Sequence, residues 1–175
     1  MVDVQTIGVL VTAVSVSVAA SYYIFTVRIN QRNTRISLTN SIMQTMLSEE
    51  AQRRWIDLMN MEWKDYDDFE KKYGSDNNPD NYAKRMSVWS SCDMLGHLLR
   101  KNVADAETFY IAGGPFAIYV WEKFKPILVE HRRRYVGADS YSGLEYLAGE
   151  MLKMRRQRDP SYEVPKTLTK YIPEK

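Results

Sequence analysis

Hydrophobic and polar positions divide this chain into one unbroken apolar stretch and a longer part where apolar residues recur at helical spacing. Residues 7–27 carry no charged side chain. A helix of about 20 residues at 1.5 Å rise matches the roughly 30 Å hydrocarbon core of a bilayer. Gly8 and several Ser and Thr residues dilute the apolar character, but helical backbone bonding makes their hydroxyls tolerable in lipid. Tyr22 and Tyr23 lie near the C-terminal end of the stretch, where amphipathic rings favour the headgroup level. Ala13, Ser17 and Ser21 recur every four residues, with Ala20 beside them. Small residues so spaced form a face on which a second membrane helix can pack closely, although such residues are also simply frequent in membrane helices.

The flanks set an orientation. Asp3 is the only charge before the stretch, whereas Arg28, Arg32 and Arg35 follow it. Positive charge is retained on the cytoplasmic side, which places the N-terminus outside and the rest of the chain inside the cell membrane. A cleaved signal peptide, with Val18, Ala19 and Ala20 as the cleavage site, is the competing reading. It lacks the basic stretch that precedes a signal core, and the apolar run continues past the site through Val27.

Beyond Arg28 the helical pattern continues, with Ile36, Met43, Met46 and Leu47 on an apolar stripe and no Pro or Gly before Gly74. A new helix is expected after Ser48, which can cap it with Glu49 and Glu50 in the first turn. It carries Trp55, Leu58, Met59 and Trp63 and fades through the acidic residues 65–70. Turn chemistry makes residues 74–81 a loop. The next predicted helix covers residues 82–101, where Val88, Cys92, Leu95 and Leu99 repeat at helical spacing.

A turn at 102–105 and a short helix through Phe109 and Ile111 lead to a break at Gly113, Gly114 and Pro115. A helix from Phe116 then holds Val120, Phe124, Ile127 and His131 near one side. Pro126 should kink or divide it, and Gly137 ends it. The last helix starts at Ser140 or Ser142, the latter at capping-box spacing from Glu145. It turns Leu144, Leu147, Ala148 and Met151 inward. Pro160, Pro165 and Pro173 then make the tail extended. The chain shows no strand pattern and no internal repeat. The expectation is an all-α protein: an anchor (1–27), a juxtamembrane helix (28–48), a small cytoplasmic helical bundle (49–156) and an extended C-terminal tail (157–175).

Charge and chemistry change this picture little. A net charge of +2 with interleaved signs lacks the concentrated basic bias of a nucleic-acid binder. Cys92 is the single cysteine, so an intramolecular disulfide and a cysteine zinc site are excluded, and it reads as a small core residue. Asp93 and His97 share a helix face, but no neighbouring third group completes a catalytic set. The two histidines, His97 and His131, do not form a metal-binding HExxH pattern. Gly113 and Gly114 lack the sequence of a phosphate loop. No cofactor is expected. The densest basic cluster is His131, Arg132, Arg133 and Arg134. It reads as a solvated helix end with internal ion pairs, or as a contact for anionic lipid or an acidic partner. Lys153, Arg155, Arg156 and Arg158 form a second cluster of the same kind.

Several features together resemble a known family. They are the N-terminal apolar segment, the helix of residues 89–99, the stretch AIYVWEKFKPILVEHRRR at 117–134, and the box from Gly143 to Ala148. The spacing of Trp121, Pro126 and Arg132 carries the likeness, which covers about two thirds of the chain. The chain resembles the membrane-anchored helical proteins grouped as domain of unknown function 4760. That resemblance implies topology and no reaction. The expected function is a non-catalytic membrane-anchored interaction protein, an accessory or regulatory subunit of a larger membrane protein complex. Arg28, Arg32, Arg35 and residues 131–134 would be its partner or lipid contacts, and Ala13, Ser17 and Ser21 its membrane-helix packing face. A membrane-tethered enzyme or ligand sensor with a site between helices, and a self-associating scaffold, stand as alternatives.

Overall fold

Every regular element is helical, as the apolar spacing predicts. The computed structural model describes residues 3–137 and 139–165, and among them there is no strand. The helices are α1 (Val4–Met46), α2 (Glu49–Met59), α3 (Tyr66–Tyr73), α4 (Pro79–Arg100), α5 (Ala106–Ile111), α6 (Phe116–His131) and α7 (Ser142–Arg158). A π-helical turn, Arg132–Val136, follows α6 directly. Two compact units divide within α1, at Ser37 and Leu38.

The first unit consists of α1 as far as Ser37, and the last turns of that helix belong to the second unit. An 18-residue window in α1 has mean hydropathy 1.8 and no burial, so the helix is long and apolar enough to cross a membrane. Three of the hydroxyls in this stretch donate back to the helix's own carbonyls. Thr12 donates to the Gly8 carbonyl, Ser15 to Val11 and Ser17 to Ala13, at 2.8–2.9 Å. Bonds of this kind lower the cost of placing a hydroxyl in an apolar solvent.

In the second unit α4 packs on α7, α6 on α7 and α3, and α2 on α4. Its core is aromatic. Trp63 stacks on Phe124 at 5.3 Å, and both Trp63–Phe69 and Trp89–Phe124 meet edge to face at 5.2 Å. Leu58, Leu95, Leu128, Leu144, Leu147 and Met151 fill the space around them. Cys92 is fully buried, and burial pushes its thiol up to about 12, so it stays protonated and unreactive.

Several local expectations need correction. Residues 65–70 do not trail off from α2, which ends at Met59; most of them form α3. Asp65 caps that helix by accepting from the Asp68 N–H at 2.8 Å, while Lys71 and Lys72 face its negative end. Trp63 therefore lies between helices, in the core. The expected loop ends earlier, because Asn78 accepts from the Asn81 N–H and Pro79 sits at the first helical position, where a missing N–H costs nothing. Pro126 does not divide α6, which is continuous from Phe116 to His131. Ser142 does not cap α7. The cap residue is Tyr141, in a left-handed conformation with φ 57°, and a side chain from another helix supplies the acceptor. The last helix continues to Arg158, and residues 166–175 of the expected tail lie outside the described residues.

Candidate functional site

The proposed membrane-packing residues all lie in α1. Ala13, Ser17 and Ser21 line one shallow groove together with Leu10, Val14 and Phe25. The groove exists because small side chains sit between large ones at helical spacing. Arg28, Arg32 and Arg35 come later on the same helix, and all three are exposed.

The second set of expected contacts, residues 131–134, is engaged within its own domain. Arg132 pairs with Glu145 at 2.7 Å and donates to the Ser140 carbonyl. Arg133 and Arg134 share Glu130, and Arg134 also meets Asp67 on α3. Hydrogen bonds from the two arginines hold the Glu130 carboxyl down at about 2. His131 turns inward. Its Nδ1 lies 3.0 Å from the Tyr66 hydroxyl, with the Tyr135 and Tyr141 rings nearby, and burial lowers its pKa. In the other basic cluster Arg158 pairs with Glu107, and the Arg155 guanidinium lies 5.0 Å from the centre of the Tyr162 ring.

Asp93 and His97 come within 3.5 Å of each other, as their spacing predicts. The larger role of Asp93 is architectural. Its Oδ1 accepts from the backbone N–H groups of Gly143 and Leu144 at 2.8 and 3.0 Å, capping α7 from α4. Arg100, seven residues on, donates to the Ser142 carbonyl at 3.0 Å.

Among the described residues two cations are buried. Lys123 donates to the Met59 carbonyl at the end of α2 and faces the Trp63 ring at 5.5 Å. Arg85 donates to the Tyr73 carbonyl at 2.9 Å and lies 4.7–5.0 Å from the Phe69, Tyr82 and Trp89 rings. Their π-faces offset part of its lost hydration, and desolvation lowers its pKa. Among the described residues no group of three or more His, Cys, Asp or Glu side chains is placed to hold a metal ion.

What composition and spacing do not reveal is a cavity of about 300 Å³. It is bounded by residues 45–47, α2, α4 and the break before α6. Trp55, Val88 and Phe116 contribute walls, and Arg54, Ser87 and Ser91 contribute polar groups. The only signal in the sequence is the pair Ser87 and Ser91, small polar residues one turn apart flanking the apolar Val88. Four separate segments build the cavity, so no local pattern announces it.

No curated protein matches this chain. No solved structure matches it either. A family model does match, over residues 6–151, a range that takes in most of α1 and the bundle through the first part of α7. The chain belongs to the family described as Domain of unknown function (DUF4760).

Proposed function

We propose that the protein is a single-pass protein of the cell membrane, with its N-terminus outside and a non-catalytic helical domain in the cytoplasm. The domain acts as an accessory or regulatory subunit that docks on a larger membrane protein complex. The observation that carries this reading is the bare apolar surface of α1. Ile7, Leu10, Val14, Val18, Ile24 and Phe25 are each at least half exposed. Contiguous apolar surface of this extent calls for lipid or a partner to cover it. Arg28, Arg32 and Arg35 support a cytoplasmic location for the helical domain. The polar groups that could suggest catalysis, Asp93, His97 and His131, serve caps and internal pairs, which favours binding over chemistry.

The test is extraction of the full-length protein in mild detergent, sizing of the complex and identification of co-eluting chains, with the double variant Ser17→Leu and Ser21→Leu alongside. A stoichiometric larger assembly is expected, with recovery several-fold lower for the variant. A lone monomer or homodimer would rule out the subunit role. Unchanged recovery of the complex with the variant would remove the α1 face from the interface.

A further inference from the structure

The cavity beside Trp55 has a chemical bias. Met46, Leu47, Trp55, Val88 and Phe116 make it largely apolar. Among the described residues no Asp or Glu lines it, and Arg54 is its one charged side chain. The Arg54 side chain is only 25% exposed. It donates to the Ser87 hydroxyl at 2.8 Å and through Nε to the Glu50 backbone carbonyl at 3.4 Å, and it meets the Glu50 carboxylate at 3.6 Å. Glu50 is 83% exposed, so water screens the pair and leaves Arg54 available to a second anion. At about 300 Å³ the space falls at the small end of ligand pockets, which run from roughly 300 to 1,000 Å³.

We propose that this cavity binds a single-chain amphiphile with an anionic end. The acyl chain lies along Met46, Leu47, Val88 and Phe116, and Arg54 holds the carboxylate or phosphate. Arg54 has the fork geometry for two parallel bonds to such a group. The hydroxyls of Ser87 and Ser91 are further donors on the same side of α4. The inference rests on the cavity alone and stands whether or not the domain docks on a larger complex.

Brominated chains offer a direct probe, because bromine quenches tryptophan at contact. Trp63, Trp89 and Trp121 are at most 6% exposed, so quenching by a bound chain should come from Trp55. The full-length protein in nanodiscs of neutral phosphatidylcholine is titrated with a dibrominated long-chain fatty acid, the matching lysophosphatidate and the matching alcohol. Saturable quenching by at least one of the two anions is expected, and it should vanish in Trp55→Phe. Whichever anion binds more tightly identifies the source as free fatty acid or lysolipid. Ser91→Leu, which fills the cavity, should abolish binding with the melting temperature held or raised. Arg54→Gln should weaken the acid about tenfold and bring it level with the alcohol. With unlabelled competitors of increasing length, and affinity referred to the free aqueous competitor, each methylene that enters the cavity should tighten binding about fourfold, until it is full. Unsaturable quenching by both anions, binding unchanged in Ser91→Leu, or equal binding of acid and alcohol by the parent protein would each overturn the proposal. Should Ser91→Leu fail to fold, Arg54→Gln and the chain-length series decide.

Discussion

At the scale of single residues, the second unit depends on two glycines. A Cβ added to Gly96 would lie 1.8 Å from the Gly143 carbonyl oxygen, and one added to Gly143 would lie 2.1 Å from the Asp93 carbonyl oxygen. The backbones of α4 and α7 touch at this crossing, and no flexible side chain intervenes to absorb a methyl group. Gly96→Ala should therefore destabilise the protein by about 3 kcal/mol or more, although alanine is the better helix former by about 1 kcal/mol. Thermal unfolding followed by circular dichroism should show a melting temperature lower by on the order of 10 °C. A variant melting with the parent would mean that the two helices can part without cost. Neither glycine is legible in the sequence as a contact. Gly96 reads as a weak point in a helix, and only the partner backbone, 47 positions on, explains it.

His131 gives a second prediction at this scale. Burial depresses its pKa below the ordinary value of 6.5, so the folded state holds it neutral while the unfolded chain takes up a proton sooner. Its contribution to stability is present above pH 6.5 and is lost as pH falls through the lower folded value. The parent should lose more stability between pH 7.5 and pH 5.5 than His131→Gln does, with the difference read as two pairs of denaturant midpoints. Equal losses would show that other groups carry the acid sensitivity. The sequence places His131 at a basic helix end. It also places His131 on the side of α6 that carries Val120, Phe124 and Ile127, and there the structure turns it toward Tyr66, while the three arginines fall in the π-helical turn that follows.

At the scale of elements, the helix ends divide into those decided locally and those decided by a neighbour. Ser48 accepts from the Ala51 N–H at 3.2 Å, and Gly113 and Gly137 take positive φ, all within reach of a sequence reading. The end of α4 is local too. The Val103 N–H reaches the Leu98 carbonyl and the Asn102 N–H the Leu99 carbonyl, a Schellman closure with Asn102 at φ 54°. Asn102→Gly should stabilise the protein by about 0.5–1 kcal/mol and Asn102→Ala should cost about 1 kcal/mol, since only glycine enters this region freely. Chemical denaturation of the pair measures both signs; a gain for alanine would mean that α4 ends differently. The start of α7 belongs to the other kind. The Ser142 and Glu145 spacing is a valid capping signal, but Asp93 outcompetes it with two bonds from α4. Glu145 goes to Arg132 instead. Distant partners of this sort, like the four-segment cavity beside Trp55, have no local signature.

At the scale of the whole molecule, helicity and the apolar segment are legible because each is a periodic or cumulative property of many residues. Orientation is legible only as a charge count, and it is the part of the proposed function most open to direct test. Three arginines follow the apolar segment within ten residues and no Lys or Arg precedes it. Such flanking charge sets the orientation, whereas the charges of a long domain matter little. In sealed right-side-out vesicles a C-terminal epitope should be protected from added protease, and in inverted vesicles it should be digested. Alkaline carbonate should leave the protein in the membrane. Replacing Arg28, Arg32 and Arg35 with Gln, and placing lysine at Val2 and Gln5, reverses the charge difference. A substantial fraction of that variant should then show the opposite protease pattern. Digestion of the epitope in right-side-out vesicles of the parent would invert the proposed topology. Release by carbonate would remove the anchor itself, and with it the reason for α1 to leave so much apolar surface uncovered.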